Sequence, residues 1–328
     1  MNRRRLVKGG AALAALAALG GGLEVHRRRD HALLSERITA PWPELGQGVH
    51  WLLPDLDRAR MVVPDRPHSR KEAVVGNFGR SREFFVTSNS ERLRGGPLEP
   101  KRGLRVLAIG DSVTFGYGVS EGQAYPAQLQ ELLRARGHSV QVLNAGVPAQ
   151  SIFGMMGFIA HRAEALQVDA VLWTRRPQLD AQKPIPDYTR ELNKARRALP
   201  GARFLVVLTP VSRFDPYGAD HYAQEEQELR RVLEVPVLEL TPVLWEAQRG
   251  GASCHPEGGD LVLTDGGRER LRAPRPEREL PPAFYAAFED DQDLKEHLFF
   301  DSGHPDAEGL THFARAVADA VEAEGWLA

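Results

Sequence analysis

The sequence predicts a doubly wound α/β domain on a mostly parallel five-stranded sheet. Three observations carry that expectation. Short apolar runs recur from residue 104 onward. Stretches with apolar residues at helical spacing separate them. The runs are continuous rather than alternating, as strands buried on both faces require.

Leu104 to Ile109 is the first strand, ending in Gly110, and Ala124 to Arg136 follows as a helix with Tyr125, Leu129, Leu132 and Leu133 on one face. Val140 to Leu143 gives the second strand and Ile152 to Leu166 the next helix. Ala170 to Trp173 is the third strand, followed by a helix opened by Asp187 with Leu192, Ala195 and Leu199 aligned. Phe204 to Leu208, a charged helix from Tyr222 to Leu233, and Val237 to Leu240 complete the alternation. Residues 241–298 break it with three glycine pairs, an arginine-proline tract from Arg268 to Arg278 and an acidic cluster, and are read as a surface insertion. A last helix starts near Asp306, with Leu310, Phe313, Ala314, Val317 and Val321 as its apolar stripe. The α/β domain is therefore expected over 104–328, preceded by a mostly irregular arm over 24–103 in which only Glu83 to Thr87 reads as a strand.

The first 23 residues differ in kind. Arginines and Lys8 precede an apolar run from Ala11 to Leu23, the charged and hydrophobic regions of an export signal. Arg3, Arg4, Leu6, Val7 and Lys8 resemble the twin-arginine pattern. An exported protein is expected, periplasmic or anchored to face that side, with residues 9–23 as a membrane tether if the signal stays attached.

Composition narrows the function classes. The 42 basic and 44 acidic residues are interspersed and leave a net charge of −2, so no field points to nucleic acid. One cysteine, Cys254, excludes an internal disulfide and argues against a thiolate metal cluster. Cys254-His255 lacks a second ligand pair at usable spacing, and no metal or other cofactor is expected. The tract from Arg268 to Arg278 has no interleaved aromatics and reads as a solvated loop.

Two stretches carry chemistry. The first strand runs into Gly110-Asp111-Ser112, at the carboxyl rim where an open parallel sheet binds its ligands. There a serine hydroxyl is exposed and neighbouring backbone N–H groups can face a developing oxyanion. A lone Gly-Asp-Ser is also an ordinary turn. Near the other end, Asp301-Ser302-Gly303-His304-Pro305 places an aspartate and a histidine three apart just before a helix. On one turn the carboxylate can orient the imidazole and the ring can be aimed at the serine.

With these stretches in place the chain resembles the SGNH or GDSL hydrolases over most of residues 84 to 325. The resemblance rests on Gly110-Asp111-Ser112 with Val113-Thr114-Phe115-Gly116-Tyr117-Gly118, on Asn144-Ala145-Gly146, and on Asp301-Ser302-Gly303-His304-Pro305, in that order. The arm segment Thr87-Ser88-Asn89-Ser90 with Leu93-Arg94-Gly95 is similar to the approach to the domain in exported bacterial members. The resemblance implies a flavodoxin-like three-layer sandwich and a serine esterase acting on a small-molecule or polymer-borne acyl ester, such as O-acyl groups on glycans or lipids. Ser112 would be nucleophile, His304 base and Asp301 orienter, with the N–H groups of Ser112 and Gly146 in the oxyanion hole. The family's Gly-x-Asn-Asp block after the third strand is missing. Trp173-Thr174-Arg175-Arg176-Pro177-Gln178 stands there, so the third donor is expected from Gln178, or from Arg175 or Arg176. An O-acyltransferase using the same triad is an alternative, and the missing asparagine motivates a rival reading of a different class, a non-catalytic domain binding a glycan or envelope partner.

Overall fold

The computed structural model describes residues 38–63, 82–175, 185–210, 227–248, 253–274, 283–284, 286–287, 298–299 and 303–327. The export signal and the tether expected within residues 1–23 lie outside them. Among the described residues, no helix is long and apolar enough to cross a membrane.

The arm is more ordered than its sequence suggested. It forms two antiparallel pairs, β1 (Thr39–Pro41) with β2 (His50–Leu52) and β3 (Ala59–Val63) with β4 (Arg82–Val86). Its aromatic residues hold it to the domain. Trp51 is fully buried and stacks on Phe158 with ring centroids 4.5 Å apart, and Trp42 meets both rings edge-on at 6.3 Å. β4 is the strand expected over Glu83 to Thr87, whereas β1, β2 and β3 were not expected, because three to five residues among polar clusters carry no readable period.

The central sheet is all parallel. It comprises β5 (Leu104–Gly110), β6 (Val140–Gly146), β7 (Ala170–Arg175), β8 (Arg203–Leu208) and β9 (Val237–Glu239), in the order β6-β5-β7-β8-β9. The winding reverses at β5, which puts a topological switch point at its carboxyl end. Side chains alternate between faces as the pleat demands. On one face Leu107, Ile109, Val171 and Trp173 pack with the arm and with α3 (Ile152–Phe158) and α4 (Ile185–Ala198). On the other, Val106, Ala108, Ala170 and Leu172 pack with α2 (Tyr125–Ala135) and α6 (Ala307–Ala323). Tyr125 and Phe313 stack across those last two helices at 4.1 Å. The expected helix over 152–166 changes character halfway, since residues 159–163 form a π-helical turn.

The region 241–298 is likewise more regular than expected. After α5 (Thr241–Ala247) come β10 (Ser253–Glu257), β11 (Asp260–Asp265) and β12 (Arg268–Pro274), an antiparallel meander. Two of the three glycine pairs, Gly258-Gly259 and Gly266-Gly267, are its hairpin turns, and Gly250-Gly251 lies outside the described residues. Gly266 and Gly267 both have positive φ, +55° and +76°, as the mirror-image turn that joins twisted strands requires. Most of β12 is solvent-exposed, so its sequence carries no buried alternation.

Candidate active site

The nucleophile candidate sits where β5 breaks. Asp111 caps the single-turn helix α1 (Ser112–Phe115) by accepting the Val113 N–H at 3.1 Å, which makes Ser112 its first residue. The corner needs a glycine before it, because a Cβ on Gly110 would lie 2.2 Å from Thr114 Oγ1 and 2.9 Å from Thr174 Cβ. Thr174 is itself tied across the sheet to Tyr125, whose hydroxyl is 2.8 Å from Thr174 Oγ1. Burial pushes that phenol's pKa upward and keeps it neutral.

His304 arrives from the other end of the chain. Phe299 pairs with Pro305 in an antiparallel bridge, the Asp306 N–H donates to Leu298 O at 2.8 Å, and Asp306 caps α6 by accepting the Gly309 N–H at 2.9 Å. This tight closure aims His304 at Ser112. Its Nε2 lies 2.8 Å from Ser112 Oγ, across 192 residues of sequence. Both residues are half-buried. The Tyr117 ring lies 5.0 Å from the imidazole, tilted by 45°, and Phe84 of β4 meets Tyr117 edge-on at 5.9 Å. The arm therefore backs the histidine through one aromatic ring, a role for Tyr117 that no motif in the sequence announced.

Of the other expected site residues, Asp301, Arg176 and Gln178 lie outside the described residues. Arg175, the last residue of β7, is buried with its guanidinium over the Tyr188 ring at 4.3 Å. Among the described residues no group of three or more His, Cys, Asp or Glu side chains could hold a metal ion.

Gly146 differs from expectation. Its N–H, read as an oxyanion donor, donates instead to Asn144 Oδ1 at 3.0 Å in the buried end of β6. The loop beyond offers another amide. Val147 N–H donates to Gly110 O at 3.2 Å, Gln150 N–H to Val147 O at 3.1 Å, Ser151 N–H to Gln150 Oε1 at 2.9 Å, and Pro148 has no N–H. Only the Ala149 amide of residues 146–151 has no acceptor among the described residues, and Ala149 is exposed. Its φ is +58°, which puts an alanine where a turn of this kind favours glycine. A strained residue on the loop joined to the end of β5 is the kind of departure found at functional sites. Sequence reasoning missed it because alanine gives no signal of a positive φ.

The arrangement has relatives. Residues 108–248 match the model of the GDSL-like Lipase/Acylhydrolase family, a segment that contains Ser112 and the β6 loop and ends before His304. Among solved structures, a possible lipase from Chitinophaga pinensis is 18% identical, with a TM-score of 0.42 over 68% of this chain and 99% of that one. A member of the lipolytic protein G-D-S-L family from Veillonella parvula is 15% identical, with a TM-score of 0.43 over 66% of this chain and 97% of that one. A catalytic mutant of an acetylxylan esterase from Geobacillus stearothermophilus is 16% identical, with a TM-score of 0.41 over 67% of this chain and 95% of that one. No curated protein sequence matches the chain. Across residues 108–248, the chain is similar to the GDSL-like lipase and acylhydrolase family.

Proposed function

We propose that the protein is a serine esterase that hydrolyses carboxyl esters, O-acyl groups of glycans or lipids among them, with Ser112 as nucleophile, His304 as general base and Asp301 as the carboxylate that orients the imidazole. The observation that carries this reading is the 2.8 Å contact between Ser112 Oγ and His304 Nε2 at the carboxyl rim of the sheet. Hydrogen-bond reach between nucleophile and base is the geometric requirement of such a pair.

In this mechanism Ser112 Oγ attacks the acyl carbonyl carbon while His304 Nε2 takes the hydroxyl proton. The carbonyl π electrons move to the oxygen, giving a tetrahedral oxyanion. Backbone N–H groups of Ser112 and Ala149 donate to that oxygen, and a donor at or beyond the end of β7, from Gln178 or from Arg175 or Arg176, would be the third. The intermediate collapses, the ester C–O bond breaks, and His304 returns its proton to the departing alcohol. Water then attacks the acyl-enzyme, again giving its proton to His304, and the carboxylic acid leaves with Ser112 Oγ reprotonated.

Ser112→Ala removes one hydroxyl at a strand end and no core volume. It should lower kcat on a short-chain p-nitrophenyl ester by at least about 10³-fold with the far-UV CD spectrum unchanged. A fluorophosphonate should label the wild-type protein on the peptide containing Ser112. Full activity in Ser112→Ala, or labelling elsewhere, would remove the assignment.

A further inference from the structure

Arg94 is only 4% exposed, yet no step above uses it. Its backbone N–H donates to Asn144 O at 2.9 Å, which seats the residue between the arm and the end of β6. From there its guanidinium reaches under the nucleophile turn. Nη1 donates to Phe115 O and, at 2.8 Å, to Gly116 O, while Nη2 donates to Val119 O at 2.8 Å. These carbonyls close the turn that Ser112 opens. A helix of one turn leaves its last C=O groups without partners, and a cation placed there satisfies them and complements the negative end of the turn. The Phe115 ring lies 4.5 Å from the guanidinium carbon and the Phe84 ring 5.9 Å. Asn144 Nδ2 also donates to Phe115 O, at 3.4 Å, so one carbonyl joins the arm, the nucleophile turn and the β6 strand end.

Burial lowers the Arg94 pKa to about 10, against the opposing pull of Glu121, so the group remains charged at neutral pH. Burying a cation is costly, and a well-packed apolar side chain often stabilises a site as well or better. Stability alone is therefore a weak reason for an arginine here. What an arginine supplies is a planar fork that reaches several acceptors at fixed angles.

We propose that Arg94 is a positioning residue for the esterase reaction, fixing the exit of the nucleophile turn so that Ser112 Oγ stays within reach of His304. The proposal rests on the reading of Ser112 as nucleophile. Misplacement of a reacting group by about 1 Å can cost on the order of 10²-fold in rate. The damage should therefore fall on the chemical step and spare substrate binding.

Arg94→Lys keeps a cation but loses the fork, and Arg94→Gln keeps a planar donor without a buried charge. In whichever variant folds, kcat on p-nitrophenyl acetate should fall roughly 10- to 100-fold with KM within about twofold. The rate of fluorophosphonate labelling at Ser112 should fall by the same factor, well below the melting temperature. A folded variant with kcat within twofold of wild type overturns the proposal, as does a loss that vanishes once rates are normalised to folded protein. Failure of both variants to fold also overturns it and assigns Arg94 to folding alone. If Ser112→Ala keeps full activity, the underlying esterase reading falls instead, so the two failures are distinguishable.

Discussion

A Cβ on Gly146 would lie 2.1 Å from Phe115 N and 2.5 Å from the carbonyl carbon of Thr114, both backbone atoms of the turn that begins at Ser112. Backbone cannot swing aside as the tip of a flexible side chain can, so the strand end and the turn would have to part. Gly96 offers the contrast, being exposed with nothing within 4 Å of where its Cβ would stand. Gly146→Ala should cost about 3 kcal/mol in urea unfolding and lower activity, whereas Gly96→Ala should stay within about 0.5 kcal/mol of wild type. Equal unfolding midpoints for the two variants would mean that the close approach of β6 and α1 is not a constraint. The same packing explains why Gly146 was a misleading donor in the sequence. Its place after Asn144-Ala145 is readable, but whether the Asn144 side chain makes the local bond that takes its N–H, two residues on, has no signature in the sequence. The placement of Ser112 after a strand and of His304 before a helix was readable because a strand end and a helix start are local features that a sequence spells out.

Among the elements, those recovered from the sequence are the ones whose environment is uniform. All residues of β6 and β7 are buried, and β5 and β8 are buried apart from their first residue, so each carries a run of apolar residues broken at most by single polar ones. The arm strands β1 and β2 are only three residues each and depend on aromatic partners far along the chain. Trp51 illustrates this, with its ring on Phe158 and its Nε1 donating to Arg92 O at 3.1 Å. Trp51→Ala should cost about 3–5 kcal/mol by thermal or urea unfolding, the usual range for truncating a large buried aromatic. Because the rings stack at 4.5 Å, Phe158→Ala should not add to it fully. A double-mutant cycle should show a coupling of about 0.5–1.5 kcal/mol. Strict additivity would mean that β2 and α3 are merely adjacent.

At the scale of the whole molecule, the arm and the sheet share one core. Ile38, Trp42, Trp51, Met61, Phe84 and Leu93 of the arm belong to the same buried cluster as Leu107, Ile109, Val171 and Trp173 of the sheet. Full burial of such side chains stabilises by about 1.5–3 kcal/mol each, so these six alone amount to roughly 9–18 kcal/mol as an upper estimate. The arm also reaches the site along three routes: Arg94 to the nucleophile turn, Phe84 through Tyr117 to His304, and His50 O, which accepts from Gln150 Nε2 at 3.0 Å beside Ala149. A fragment of residues 101–328 retains the five sheet strands and both Ser112 and His304, yet it would expose Phe158, Phe115 and Tyr117 to water. It should lose cooperative unfolding, bind ANS and show no fluorophosphonate labelling at Ser112, while a fragment starting at residue 38 should keep all three properties of the full chain. Cooperative melting and labelling of the 101–328 fragment at the full-length rate would show that the arm only decorates a self-sufficient domain.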